Sequence, residues 1–394
     1  MRSTAMGNTA LAHLETPAAV ALNPANLEGT GRFTASLSLP LAIASLRGPV
    51  GGEGATRETP ALFVPNPSVF VAGRVAPRVV LGGGFYVVSQ FGGAYEDVEV
   101  LHGDVLDEPR DMTVAFANLE AAASMSIALH EQLRVGFGLR LPFAVQRASQ
   151  PQVMLGQTVV TEQDFRGFGP PAGRIGLTYH PIRELAVAAV YRTRALTRMH
   201  GTVEMSGAGL AFAFDADLDW RLPDTFEVGL TTFLLDEALV LAAEYQLQLW
   251  DATHDELAVV VQDPDPFFQA LAGGDRVVAP LDWRNTHGVR LGAEYAVTSV
   301  VRLRAGFSAM QSASVDRTAQ FFTPPPGWLV SEFAGVGFAP GDFLVDVALG
   351  HTHASAVVEP NGQQCQPSDA IKVGCPGAYD ARAFLVGVSA AYRR

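Results

Sequence analysis

Charge is scarce in this chain. Only 17% of its 394 residues are Asp, Glu, Lys or Arg, against roughly a quarter in soluble domains. What charge there is leans acidic, 40 Asp and Glu against 27 Lys and Arg, and Lys372 is the only lysine. A net charge of −13 with no basic cluster excludes nucleic acid as a partner. The chain also lacks any run of about 18 consecutive apolar residues, which excludes a helical membrane protein. At the start, Met1-Arg2-Ser3-Thr4 leads into small residues without an apolar h-region, so no signal peptide is visible and the leader of an exported chain would be missing from this sequence. Cysteine is limited to Cys365 and Cys375, ten residues apart in a polar stretch. An oxidising compartment would join them as a loop-closing disulfide; otherwise they stay as thiols.

Signatures of catalysis are missing as well. No nucleophile elbow occurs, and Gly82-Gly83-Gly84 is followed by no βαβ unit that would make it a dinucleotide site. His351 and His353 lie two apart on one strand face, but no acidic third ligand can be assigned from sequence. They are read as solvent-facing, and no enzyme activity, metal or cofactor is expected.

What the chain has in abundance is alternation. Hydrophobic residues reach 48% and mean hydropathy is positive, yet the apolar residues are interleaved. Between Ala238 and Trp250, Leu239, Leu241, Ala243, Tyr245, Leu247 and Leu249 take one face, with Glu244, Gln246 and Gln248 on the other. Leu133–Gln146 and Val300–Gln311 repeat the pattern, with Arg134 and Arg140, then Arg302 and Arg304, on their polar faces. A helical period would spoil such alternation within one turn; these are strands. Alternation alone does not choose between a soluble sandwich, whose apolar face is the core, and a membrane barrel, whose apolar face meets lipid.

The connections choose. About fourteen strands are read, at 32–46, 67–76, 79–95, 112–129, 133–148, 168–180, 185–200, 220–234, 238–250, 283–296, 300–313, 329–338, 343–353 and 380–392. Short links such as Pro77-Arg78 and Leu235–Glu237 alternate with long ones, the largest being Asp251–Asp282. An even number of strands, tight turns at one end and long loops at the other predict an all-β, 14-stranded antiparallel transmembrane barrel. Aromatics near strand ends, among them Tyr95, Tyr179, Trp250, Trp328 and Tyr392, suit interfacial girdles. Residues 31–394 are expected to form this barrel. Residues 1–30, small and broken by Pro17 and Pro24, are expected to be a hatch inside it.

Several stretches, in order, carry a resemblance: Ala5-Met6-Gly7-Asn8-Thr9-Ala10, Asn23-Pro24-Ala25-Asn26-Leu27, Asn66-Pro67-Ser68, Val80–Gly93, Gly173–Pro181, Leu222-Pro223-Asp224-Thr225, Trp283-Arg284-Asn285-Thr286 and Leu303–Phe307. Over essentially its whole length the chain resembles the FadL/TodX family of outer-membrane transporters of hydrophobic compounds. The resemblance implies passive uptake of an apolar small molecule, a long-chain fatty acid or else an aromatic hydrocarbon, with a general porin as the remaining barrel alternative. It implies residence in the bacterial outer membrane among its lipid, insertion by the barrel-assembly machinery, and a monomer. The terminal Ala391-Tyr392-Arg393-Arg394 departs from the family's usual aromatic end.

The resemblance also assigns roles. The NPA motif Asn23, Pro24 and Ala25 would lie on the hatch near a kink in the third strand that opens a lateral gap. Gly82, Gly83, Gly84, Phe85, Phe91, Gly92 and Gly93 are the residues of that strand, and glycine within a strand commonly marks a bulge or close approach. Phe267, Phe268 and Leu271 in the largest loop would capture substrate. The predicted lumen charges Glu244, Arg290, Glu294, Arg302 and Arg304 either balance one another or meet a fatty-acid carboxylate.

Overall fold

The computed structural model describes residues 1–50, 56–99, 101–102, 105–106, 108–154, 157–207, 209–264, 266, 269, 274–360 and 373–394. The chain closes into a barrel of 14 antiparallel strands. They begin with β1 Phe33–Gly48, β2 Ser68–Ala76, β3 Val79–Val98, β4 Arg110–His130, β5 Leu133–Met154, β6 Ala172–Ile182 and β7 Leu185–Arg192. The circuit continues with β8 Asp224–Leu234, β9 Leu239–Leu249, β10 Thr286–Ala296, β11 Val301–Gln311, β12 Trp328–Phe338, β13 Phe343–Val358 and β14 Gly377–Arg393. Strand β14 returns to β1 in a register from Thr34↔Arg393 to Arg47↔Asp380. The carbonyl of Arg394 accepts from the amides of Arg32 and Phe33, so the two terminal arginines take part in closure, and closure removes the exposed sheet edge.

The ambiguity of the alternation is resolved by which face is covered. Leu139 is 65% exposed and Leu349 57%, whereas Arg140 between such neighbours is 1% exposed. A sandwich would show the reverse. Apolar side chains outward and polar ones inward is the arrangement a lipid-embedded barrel requires.

At the end carrying the long connections, the sheet continues beyond the barrel. Gln157–Phe168 pairs with the upper part of β5, and Ala195–Gly207, Leu210–Leu222, Glu256–Val261 and Arg276–Pro280 follow in pairing order. Sequence patterning had joined parts of this canopy to the wall as single strands at 168–180, 185–200 and 220–234. Instead β7 stops at Arg192 and β8 starts at Asp224. The cause is local. Pro223 has no N–H to extend the ladder, and the Asp224 carboxylate accepts from Tyr191 Oη at 2.7 Å, from the Arg194 amide at 3.0 Å and from Arg194 Nε at 2.8 Å. That carboxylate pins the point where the chain leaves the wall.

Candidate functional site

The segment before β1 contains the short helix Arg2–Ala5 and two 3₁₀ turns, Pro17–Val20 and Pro24–Gly29. It lies against inward-facing side chains of the wall. Arg2 grips Glu294 through Nε and Nη2, each at 2.9 Å. The same carboxylate takes Arg302 at 2.9 Å and Arg304 at 2.6 Å, and Arg304 reaches on to Asp346 at 2.7 Å. Glu244 Oε1 accepts from the amides of Ala10 and Leu11 at 2.6 and 2.7 Å, while Arg290 donates to Glu227 at 2.9 Å and Glu244 at 3.5 Å. All five predicted lumen charges are therefore engaged with the N-terminal segment or one another. Buried charges persist only when paired in this way.

The turn at Asn23-Pro24-Ala25 docks on β4, β5 and β6. Asn23 Nδ2 donates to the Leu11 carbonyl at 2.7 Å and to Thr178 Oγ1 at 2.9 Å, and its Oδ1 accepts from the Ala25 amide at 3.1 Å. Thr178 Oγ1 donates to Asn26 Oδ1 at 2.7 Å, and Ser126 Oγ to the Ala25 carbonyl at 2.7 Å. The approach is close enough to demand glycine. A Cβ on Gly136 would sit 2.2 Å from the Ala25 nitrogen, and one on Gly176 2.1 Å from Asn23 Oδ1. Contact with β3 comes from Val20 and Leu27 instead, at Gly82.

A break in the wall lies between β2 and β3. Their pairing runs from Ala76↔Val79 to Ser68↔Tyr86. Beyond Tyr86, β3 continues along β4 to Val98, but no strand pairs with its other edge among the described residues. The chain that would fill the place, Leu62–Pro65, pairs with β1. Pro67 cannot donate, and the Asn66 amide bonds to the Pro40 carbonyl, so the second strand turns off here. On the β4 side the register of β3 shifts between Val87 and Ser89 and again between Tyr95 and Val98, as bulges do.

Directly behind the break are aromatic rings. Phe91 stacks on Phe116 at 4.6 Å, and Trp220 lies 4.5 Å from Phe116. With Phe165, Met199 and Leu218 of the canopy strands they form a packed apolar cluster. Within it His254 is buried edge-on to Trp220 and Trp283. Burial pushes its pKa down to about 4.

Deeper along the inward face of β4 the apolar cluster gives way to charge. Asn118, fully buried, has no partner for either side-chain polar atom. Glu120 then accepts from Tyr86 Oη at 2.5 Å, Arg140 Nη1 at 2.5 Å and Arg192 Nη2 at 2.9 Å. Arg174 joins at 3.4 Å from Tyr86 Oη and ties the Val20 carbonyl at 2.8 Å. Three guanidinium groups surround one carboxylate.

The family model described as outer membrane protein transport protein (OMPP1/FadL/TodX) matches residues 2–393. The chain belongs to the FadL/TodX family. It is an outer-membrane transporter of hydrophobic compounds. Among solved structures it is similar to a Pseudomonas aeruginosa FadL homologue, at 14% identity and TM-score 0.77 over 98% of this chain and 96% of that one. It is similar also to the Ralstonia pickettii toluene transporter TbuX, at 19% identity and TM-score 0.75 over 100% and 97%. The Pseudomonas putida toluene transporter TodX gives 16% identity and TM-score 0.78 over 100% and 97%. At such identities these likenesses speak for the fold. No curated protein matches the chain.

Within this FadL/TodX barrel the residues expected to open the third strand separate into two groups. Gly82, Gly83, Gly84 and Phe85 sit in the intact ladder opposite β2, whereas Phe91, Gly92 and Gly93 lie past the break. The break in pairing thus begins where the second strand turns off, beyond the glycine triplet. Gly92 has φ +148°, and a Cβ there would lie 2.1 Å from the Val114 carbonyl oxygen; this glycine is obligatory for the irregular backbone. Phe267, Phe268, Leu271 and Cys365 lie outside the described residues, and with them the expected capture residues and the cysteine pairing. Sequence reasoning missed the cluster of Tyr86, Glu120, Arg140, Arg174 and Arg192. Its only signal was that arginine recurs at inward positions of neighbouring strands.

Proposed function

We propose that this transporter takes up long-chain fatty acids passively, with lateral release through the break between β2 and β3. The observation that carries the reading is the clustering of arginine beside the aromatic cluster: Arg140 and Arg192 share Glu120, and Arg174 joins them through Tyr86. A fatty acid suits both surroundings at once, its chain against the aromatic rings and its carboxylate at the guanidinium groups. Each CH₂ leaving water gains about 0.8 kcal/mol, so each handover among aromatic cluster, gap and bilayer need differ only modestly. In this reading residues 1–30 are the hatch. The Arg2–Glu294 ion pair and the Ala10 and Leu11 amides on the Glu244 carboxylate hold it in the lumen, which argues for a transporter over a general porin.

A second reading rests on the rings themselves: Phe91, Phe116 and Trp220 would also hold a neutral aromatic hydrocarbon. The two are separated by Arg192→Gln, a side chain at the edge of the cluster whose Nε has no partner. In cells depending on this protein, uptake of labelled oleate at low concentration should fall about tenfold or more, the scale of one charged hydrogen bond, while toluene uptake holds. Equal effects on both would overturn the fatty-acid reading in favour of the neutral one.

A further inference from the structure

We infer that Glu332, His351 and His353 form a binding site for a divalent transition-metal ion, zinc being the type ligand, on the outward face of the barrel. The two histidines share that face of β13, and pairing with β12 places Glu332 directly opposite His351. One ligand atom from each of the three lies within 4.8 Å of the others. His351 Nδ1 is 3.4 Å from a Glu332 carboxylate oxygen, and the two imidazole rings stack with centroids 5.4 Å apart. Zinc bonds of about 2.0–2.2 Å put ligands roughly 3.3 Å apart in a tetrahedron, so small side-chain rotations close the set. The supports are fixed. Thr352, between the histidines, turns inward to Ser331 at 2.8 Å, and the Phe384 ring backs His351 at 4.8 Å. Imidazole with carboxylate is a donor set for zinc, nickel, copper or cobalt, and a poor one for magnesium or calcium.

The location supplies the reason for a cation. Leu349 below and Phe384 beside the site are exposed apolar side chains of the lipid-facing wall, where an ionised carboxylate is costly. His351 is eight residues above Phe343 on β13. At about 3.3 Å per residue and a tilt near 40°, that is roughly 20 Å up an apolar band about 25 Å tall. Glu332 is therefore at the upper margin of the band, where a dication neutralises it and water supplies the remaining coordination. Two further charges face the site from β14. Arg382 lies opposite His353 and opposes a cation, and Asp380, opposite Ser355, partly offsets it.

The test is calorimetric titration of Zn²⁺ into tag-free protein in detergent at neutral pH, paired with the visible spectrum of the Co²⁺ form. We expect one equivalent bound and a d–d band of a low-symmetry site. The double variant H351A/H353A should lose both, and Glu332→Gln should weaken Zn²⁺ binding by at least the 10–100-fold typical of lost supporting partners. The control H200A/H287A, altering exposed histidines elsewhere, should bind as the parent does. Barrel formation is checked by heat-modifiable gel mobility, and H353Q replaces the double variant if that fails to form. No binding by the parent, or undiminished binding by H353Q or the double variant, would overturn the assignment.

Discussion

Gln90 and Pro65 meet across the break in the barrel wall, the Gln90 Nε2 donating to the Pro65 carbonyl at 3.2 Å. Below them the ladder between β2 and β3 is intact up to Ser68↔Tyr86; above them Arg57 reaches the Glu96 carbonyl at 3.3 Å. Side-chain bonds here replace the continuous backbone pairing that seals the rest of the circumference. Such bonds can be exchanged for water or a passing ligand, whereas a buried ladder bond cannot be broken without leaving backbone groups unpaired.

Tethering this gap should stop release. In the P65C/Q90C variant, joined by a short bismaleimide, uptake should fall to background while the untreated variant keeps transporting. Full uptake after verified cross-linking would show that substrate leaves by another path.

Glu294 holds three arginines, one of them Arg2 of the N-terminal segment. Glu294→Gln removes the charge that all three share, and truncating one side of a buried ion network costs about 3–5 kcal/mol. Urea unfolding should register that loss. Ion conductance in planar bilayers should rise as the segment loosens, and rise further on deletion of residues 1–28; a deletion variant as tight as the parent would count against a hatch.

The Asn23 turn predicts a smaller effect of the same kind. Asn23→Ala strips the Ala25 amide of its side-chain partner, worth about 1–3 kcal/mol when left buried and unsatisfied, while the Leu11 carbonyl and Thr178 keep their bonds to Asn26. Conductance should become intermittently leaky without loss of barrel formation. By contrast Gly92→Val should impair folding itself, seen as lost heat-modifiability, because its Cβ meets the backbone of Val114.

His254 makes the aromatic cluster sensitive to acid. Its ordinary value of 6.5 is lowered to about 4 in the fold by burial, so the unfolded or opened form takes up the proton first. The packing is fully stable above about pH 6.5 and is weakened as pH falls toward 4, by up to about 3 kcal/mol. Tryptophan fluorescence should report it, since Trp220 and Trp283 touch the imidazole. The change between pH 6.5 and 4 should vanish in His254→Phe; persistence there would assign it to other groups.

Much of this architecture was legible in one dimension. The period of two along Ala238–Trp250, and the alternation of short and long links, reflect strict local rules of pleating and turn closure, so strand number and barrel class followed from them. Boundaries failed where a local preference was overruled at a distance: 185–200 reads as one strand, yet Asp224, thirty residues on, pins Arg194 and splits it. The pairing of Arg2 with Glu294 was illegible for the same reason, although Glu294 itself was recognisable as an inward charge.

By itself, then, the sequence determined the barrel and its outward apolar face, because alternation and turn chemistry act between near neighbours, while its ordered short stretches carried the family resemblance. Tertiary structure alone decided which inward charges are spent on the N-terminal segment and which surround Glu120, where the wall breaks, and that Glu332 stands beside His351. Each of those depends on register between strands far apart in sequence, and in a closed sheet register is settled only when the whole circuit of hydrogen bonds is complete.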